Sequence, residues 1–359
     1  MWHPAHSSRV RKRRNNGLIA TGNLSTFDTK IHAMKTIAIL VPETAVIEAI
    51  ADPSYMFRAV NQFLQASGRQ PLFDVKLVGA TREVKLDNSL FTVHTDLLLE
   101  EAKSADMIFV PAISGPVQRA IDLNRSLLPW IVDRYKEGAE VASLCIGAFL
   151  LAATGLLNGK KCSTHWNAAN EFRNMFPDVE LVDGSIITEE QGLYSSGGAN
   201  SYWNLLLYLV EKYTDRDTAI LASKYFAIDI DRDSQASFMM FQGQKEHNDE
   251  AIKKAQEYIE NNYTEKMTVD ELAALCTIGR RSFERRFLKA TGNTVVTYIQ
   301  RVKIEAAKRS FEKSRKNISE VMYDVGYTDT KAFRTIFRKI TGLTPIEYRN
   351  KYRKEGAQA

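Results

Sequence analysis

One pattern is written twice near the C-terminal end of this chain, and it constrains the fold more than any other feature. Val269-Asp270-Glu271-Leu272 leads on to Tyr298, and Ile318-Ser319-Glu320-Val321 leads on to Tyr348. Glu271 corresponds to Glu320 and Leu272 to Val321 at an offset of 49. Phe283 and Phe333, Phe287 and Phe337, Thr291-Gly292 and Thr341-Gly342, and Tyr298 and Tyr348 correspond at an offset of 50. The second copy is therefore expected to carry one extra residue in its turn. Each copy reads as a short apolar helix, a turn of small or β-branched residues, and a second helix whose exposed face is basic, which is the grammar of a helix-turn-helix. Two in tandem imply a DNA reader.

Charge is segregated along the chain in the same sense. Residues 265–359 hold 21 Lys and Arg against 11 Asp and Glu, a net of +10, whereas 36–264 hold 20 against 31, a net of −11. Residues 1–35 add seven basic side chains and one acidic, so the whole carries +5. A basic module joined to an acidic body directs only the module toward a phosphate backbone. The 359 residues and 44% hydrophobic content suit two or three packed domains.

Three cysteines, Cys145, Cys162 and Cys276, are odd in number and lack metal-ligand spacing, which argues against a disulfide framework or a zinc site. No metal and no cofactor is expected, and the compartment implied is reducing and cytoplasmic. No apolar run approaches the roughly 20 residues that span a bilayer. Arg9, Arg11, Lys12, Arg13 and Arg14 lie in a leader without a signal-type apolar stretch. The fold is expected to begin at Met34, with 1–33 as a disordered basic leader; a DNA-contacting arm is the alternative.

The acidic body alternates short apolar runs with amphipathic segments. Strands are expected over 37–41, 73–78, 107–111, 141–144, 179–182, 186–188 and 193–195, and helices over 54–66, 127–136, 145–157, 200–213 and 218–226. Continuous apolar runs of this kind describe a mostly parallel sheet sandwiched by helices, an α/β domain over 34–245. The link to the all-α C-terminal domain, 249–352 with its two helix-turn-helix modules, is expected near 243–248.

Within the body, Val141-Ala142-Ser143-Leu144-Cys145-Ile146-Gly147-Ala148-Phe149 stops a strand at a cysteine and starts a helix. That spacing fits a nucleophile elbow, where the helix N-terminus favours a thiolate. It fits equally a small cysteine buried at a tight strand-to-helix turn.

This elbow, the run Leu150-Leu151-Ala152-Ala153-Thr154-Gly155-Leu156-Leu157, Thr164-His165-Trp166 and Ser195-Ser196-Gly197-Gly198 resemble the PfpI-like branch of the class I glutamine amidotransferase-like superfamily. Gly326-Tyr327, Phe333-Arg334, Phe337-Arg338 and Thr341-Gly342-Leu343-Thr344-Pro345-Ile346-Glu347-Tyr348-Arg349 resemble the AraC/XylS DNA-binding domain. Together the two resemble the GlxA-type transcriptional regulators over roughly 36–352. Enzymes of the PfpI-like branch often follow the elbow cysteine with His, where this chain has Ile146. Many relatives set a carboxylate four residues before a proline; here Ala49 stands in that register before Pro53, with Glu43 and Glu48 nearby.

The body is accordingly expected to be a small-molecule sensor on an enzyme-derived scaffold, not an enzyme. A cysteine-dependent hydrolase or hydratase with a DNA-binding appendage is the alternative. Its pocket is expected at the carboxyl ends of the strands, bordered by Cys145, His165, Gly197 and Gly198. His165 reads either as a pocket residue or as a structural histidine beside an aromatic. The resemblance implies a small effector, an amino acid or amine derivative. Oxidation of Cys145 is a second mode of sensing, which needs an exposed thiolate.

In the DNA-binding part, Phe283, Phe287, Leu272 and Leu275 are expected in one module core, and Phe333 and Phe337 in the other. That projects Arg281, Glu284 and Arg285, and Thr330, Lys331, Arg334 and Thr335, toward base edges. Arg280, Arg286, Lys289, Arg338 and Lys339 then fall to phosphate. The segment 296–311 reads as a connecting helix that spaces the two reading helices by about one DNA turn, ~34 Å, with Arg301, Lys303 and Lys308 as added backbone contacts. The partners expected are operator DNA, a small-molecule effector and a second copy of the chain, with RNA polymerase as a further candidate.

Overall fold

The computed structural model describes residues 33–86, 89–230, 234–241, 243–245 and 247–352, so the basic leader falls outside the described residues except for its last position. In chain order the body comprises β1 (Lys35–Leu40), α1 (Ile47–Ala66), β2 (Phe73–Gly79), β3 (Glu83–Leu86), β4 (Phe91–His94), β5 (Leu97–Leu98) and β6 (Met107–Val110). It continues through α2 (Val117–Leu123), α3 (Leu127–Lys136), β7 (Glu140–Ser143), α4 (Ala148–Ala153), β8 (Lys161–Cys162), α5 (Ala169–Met175) and β9 (Glu180–Leu181). The strands β10 (Ile187–Glu190) and β11 (Leu193–Ser196) and the helices α6 (Tyr202–Tyr213) and α7 (Arg216–Tyr225) complete it.

A seven-stranded sheet in the order β10-β11-β7-β6-β1-β2-β5 forms the centre. All neighbours in it are parallel except the hairpin β10–β11. Alternate residues of β1 explain why both faces must be covered. Ile37 and Ile39 enter the core shared with α1, α6 and α7, while Ala38 and Leu40 enter the core shared with α2 to α5. A strand apolar on both sides has no face to give to water, which is why these runs lack polar alternation.

Two boundaries differ from expectation. The first helix begins at Ile47 and contains Pro53. A proline withholds only its own donor, here from the Ala49 carbonyl, at about 3 kcal/mol. Ala49, Ile50, Met56, Phe57, Val60 and Leu64 are buried along the same face and offset it. The apolar stretch expected as one helix over 145–157 is instead a 3₁₀ turn, Cys145–Gly147, followed by six-residue α4. Thr154 Oγ1 bonds the Leu151 carbonyl at 2.5 Å and Gly155 takes φ +78°, which ends the helix. The hairpin β3–β4 and the short helices α2 and α5 had no expectation.

The C-terminal domain comprises α8 (Glu250–Asn261), α9 (Val269–Leu275), α10 (Arg280–Thr291), α11 (Val295–Lys313), α12 (Ile318–Asp324), α13 (Thr330–Thr341) and α14 (Pro345–Tyr352). The repeat is visible in detail. Thr268 and Asn317 each close a capping box with Glu271 and Glu320. Gly292 and Gly342 each take the left-handed cap at φ +65° and +74°. Thr291 Oγ1 and Thr341 Oγ1 each bond the carbonyl four residues back at 2.8 Å. Tyr298 and Tyr348 each donate to a glutamate, Glu260 at 2.7 Å and Glu312 at 2.6 Å.

The extra residue sits where the offset changes. Four residues separate α9 from α10, and five separate α12 from α13. Helix α11 is more than a spacer. Val295, Tyr298 and Val302 fill the core around Phe283 and Phe287, whereas Ile304, Ala307 and Phe311 fill the core around Phe333 and Phe337. One helix thus belongs to both modules.

Candidate functional site

At the end of β7 the chain turns sharply. Cys145 has φ +55°, an uncommon left-handed conformation for a side chain larger than glycine. Its N–H donates to Ser196 Oγ at 3.1 Å, and its carbonyl accepts from Thr164 Oγ1 at 3.1 Å. A Cβ on Gly147 would run into the Val110 and Pro111 carbonyls, so the residue two after the elbow has to be glycine. Buried hydroxyls lock the neighbouring strands. Ser195 Oγ accepts from the Ser163 N–H at 2.7 Å, and Ser163 Oγ donates to the Ser195 carbonyl at 2.9 Å.

Cys145 is therefore an elbow and a buried residue at once, only 6% exposed. Burial pushes its thiol up, and the Ala199 and Ile146 backbone N–H groups only partly oppose this. Of the two readings of the elbow, burial favours the small buried cysteine, because desolvation outweighs the donors at a helix start of three 3₁₀ residues. This burial also removes the exposed thiolate that oxidation sensing requires.

His165 is held by its own loop. Its Nδ1 accepts from the Asn167 N–H at 3.0 Å, which leaves Nε2 carrying the proton of the neutral ring. The ring lies on Gly198, where an added Cβ would come within 2.5 Å of Cδ2. Burial lowers the pKa of the ring. No hydrogen bond joins His165 to Cys145 among the described residues.

The carboxylate partner of this region is Asp52, next to Pro53, which the register argument passed over. Tyr202 Oη donates to Asp52 Oδ2 at 2.5 Å. Burial raises the Asp52 pKa, opposed by the Tyr202 hydrogen bond and reinforced by Glu48. Tyr202 lies within electrostatic reach of Asp52, Glu48 and Cys145. The reason for the miss is the helix start at Ile47, which places residues 48 and 52 one turn apart.

Gln235 was also missed, since 234–242 carried no expected element or site. Its side chain is 2% exposed. Oε1 accepts from the Gly198 N–H at 2.9 Å, and Nε2 donates to the Thr164 and Ser185 carbonyls, each at 3.0 Å. A Cβ on Gly197 would lie 2.5 Å from Nε2. Gly197 and Gly198 are thus flat floors for Gln235 and His165. A cavity of about 900 Å³ lies between Trp166, Arg173 and Gly184 of the body, Ser234, Met239 and Gln244 of the linking segment, and Lys289, Arg301 and Lys339 of the helical domain; Cys145, His165, Gly197 and Gly198, expected to border the pocket, do not line it.

On the helical domain, Arg281, Glu284, Arg285, Thr330, Lys331, Arg334 and Thr335 are all exposed, beginning at the first turns of α10 and α13. Phe283, Phe287, Phe333 and Phe337 are fully buried behind them, and Leu272 with them; Leu275 is only half-buried. Arg280 pairs with Asp270 at 2.9 Å and Glu284 at 3.5 Å. Arg286 makes a two-pronged bond to Asp249, at 2.8 and 2.6 Å, and Asp249 caps α8. Arg286 is thereby withdrawn from the phosphate set, because its guanidinium already spends both prongs on a helix cap.

Lys289, Arg338 and Lys339 are all exposed, and Lys289 and Lys339 also line the cavity toward the body. Arg301, Lys303 and Lys308 are likewise corrected. Lys303 and Lys308 are buried and donate to the Gly326 and Met239 carbonyls, and Arg301 pairs with Asp183 at 3.7 Å.

Among the described residues no group of three or more His, Cys, Asp or Glu could hold a metal, and no helix is long and apolar enough to cross a membrane. Residues 272–351 match a helix-turn-helix domain family, and residues 55–212 match the DJ-1/PfpI family. The chain is 23% identical over 316 residues to the HTH-type transcriptional regulator GbdR of Pseudomonas aeruginosa (strain UCBPP-PA14), covering 88% of this chain and 84% of that protein. It is 21% identical over 320 residues to the HTH-type transcriptional regulator GlxA of Rhizobium meliloti, covering 89% and 96%. The bifunctional transcriptional activator/DNA repair enzyme AdaA of Bacillus subtilis is 40% identical over 93 residues, which cover 26% of this chain and 44% of that one.

Proposed function

We propose, from the premise that this chain is a DNA-binding transcription regulator of the GlxA type, joining a DJ-1/PfpI domain to an AraC-type helix-turn-helix domain, that its α/β domain senses a small metabolite without turning it over. The observation that carries this reading is the elbow itself. Cys145 keeps the strained backbone of a nucleophile, but its thiol is buried and protonated, Ile146 follows it, and His165 is bonded to Asn167. A nucleophile needs a proton acceptor within hydrogen-bond reach, and neither Ile146 nor the Asn167-bonded His165 offers one.

The effector class proposed is an amino acid or amine derivative. Glu48 and Asp52 beside Tyr202 offer the negative partners that an ammonium group takes. Arg281, Glu284, Arg285, Thr330, Lys331, Arg334 and Thr335 are proposed to read bases, with Arg338 on phosphate. Two copies paired through the α/β domains would act on paired half-sites in the cytoplasm, with RNA polymerase as a further partner; sedimentation of the full chain reads the pairing.

Thermal-shift titration with free amino acids and amines, run on wild type and Cys145→Ser, tests the reading. Cys145→Ser should leave DNA affinity unchanged and move the effector midpoint. Multiple turnover by wild type that vanishes in a folded Cys145→Ser protein would overturn it in favour of a cysteine-dependent hydrolase or hydratase.

A further inference from the structure

The Gln235 side chain fills a niche whose polar groups match one functional group. The niche offers one donor, the Gly198 N–H, and two acceptors, the Thr164 and Ser185 carbonyls. A primary carboxamide presents the complement, one carbonyl oxygen and two N–H groups in one plane. The Gly197 face lies flat against that plane. A carboxylate of the same shape would set a lone pair against each carbonyl.

Gln235 is also a peg. The Gln235 N–H bonds the Gly184 carbonyl at 2.8 Å, and Ser234 bridges to Ser185. The residues that follow bind the helical domain. Tyr352 Oη donates to the Ser237 carbonyl at 3.0 Å, Lys308 Nζ to the Met239 carbonyl at 2.5 Å, and the Phe241 N–H to Glu305 Oε2 at 3.0 Å. The segment 234–241 is therefore fastened at one end to the body and at the other to α11 and α14.

The peg shares its partners with the elbow, since Thr164 Oγ1 bonds the Cys145 carbonyl and Gly198 carries the His165 ring. The 900 Å³ cavity touches Gly184, Ser234 and Ala236, the backbone neighbours of the buried Gln235, so only one layer of residues separates the peg from it.

We propose that this niche is a binding site for small molecules bearing a primary carboxamide or ureido group, that Gln235 is its internal occupant, and that displacing Gln235 unfastens the linker and frees the helical domain. This rests on the reading of the α/β domain as a sensor. The fastened state holds Lys289, Arg301 and Lys339 on the cavity against a body whose residues 36–245 hold 18 Lys and Arg against 26 Asp and Glu, a net of −8. Release removes that acidic neighbour from the DNA-binding module, so it strengthens DNA binding.

The test uses the full chain as wild type, Gln235→Ala and Gln235→Glu, each checked for folding by circular dichroism. The DNA is a duplex selected by wild type from a random pool. Both variants should exchange amide hydrogens faster over 234–241, with α10 and α13 unchanged, and bind the duplex at least about fivefold more tightly. Acetamide at high millimolar concentration should move wild type toward the variants' exchange pattern, and acetate should not. Unchanged linker exchange and DNA affinity in both folded variants overturns the peg. Released variants with acetamide and acetate acting alike on wild type overturns the carboxamide niche, while the metabolite titration above judges the sensor reading on its own.

Discussion

Lys308 and Glu305 lie one turn apart on α11 with their charged atoms 2.8 Å apart and their side chains only 4% and 9% exposed. Together they grip the linker backbone at Met239 and Phe241. Removing one partner strands the other charge in the interior. Lys308→Met should therefore cost the helical domain about 3–5 kcal/mol, while Lys308→Met combined with Glu305→Leu should recover most of it. Urea unfolding followed by a helical-domain probe reads both; equal losses in the single and double variants would show that the pair is not the issue.

Exposed arginines on the reading helices and the paired Arg286 should behave differently. Alanine at Arg281, Arg285 or Arg334 should cost about 1–3 kcal/mol on the preferred duplex and relax selectivity at one base position. Alanine at Arg286 should instead lower thermal stability, since it frees Asp249 at the α8 cap, and leave base preference unaltered. Binding-site selection with each variant distinguishes the two; a preference altered by Arg286→Ala would put that side chain back at the DNA.

The two turns should respond oppositely to glycine. Thr277 takes φ +56° where the second copy has Gly326 at φ +74°. Thr277→Gly should stabilise the first module by roughly 0.5–1 kcal/mol, because a β-branched residue is strained there and glycine is not. Gly326→Ala should destabilise the second, since its Cβ would meet the Thr264 carbonyl. Denaturant midpoints at constant slope check both signs.

His165 should make the body acid-sensitive. Burial sets its folded pKa below the ordinary imidazole value of 6.5, so the unfolded chain takes up the proton first. Stability is full above pH 6.5 and falls as pH drops below it, levelling once the folded ring also protonates. His165→Asn should flatten that part of the profile. An unaltered stability–pH curve in the variant would assign the acid sensitivity elsewhere.

Much of the helical domain was legible because its information is local and duplicated. The Phe283/Phe287 and Phe333/Phe337 spacing states a helix face, the glycines state the caps, and the offset change states the length of the second turn. The elbow was legible for the same reason, as a strand, a cysteine and Gly147 are adjacent in the chain. Asp52 and Gln235 were not, since nothing in their neighbours names what they touch. Gln235 meets Thr164 and Ser185 across 71 and 50 residues, and the distinction between a polar linker and a buried peg exists only once those carbonyls are in place.

Periodicity and charge by themselves determined that this chain carries an acidic parallel α/β body and a basic double helix-turn-helix, because those properties depend on which residues recur at which spacing. The tertiary structure decided which charges face outward. Arg286, Lys303 and Lys308 look like Arg285 and Lys331 in sequence, but Asp249, the Gly326 carbonyl and the linker claim them, leaving the others to solvent. Burial decided the chemistry of Cys145 in the same way. A thiol's protonation follows from the water it loses and the donors that face it, and both are set by chain segments distant in sequence.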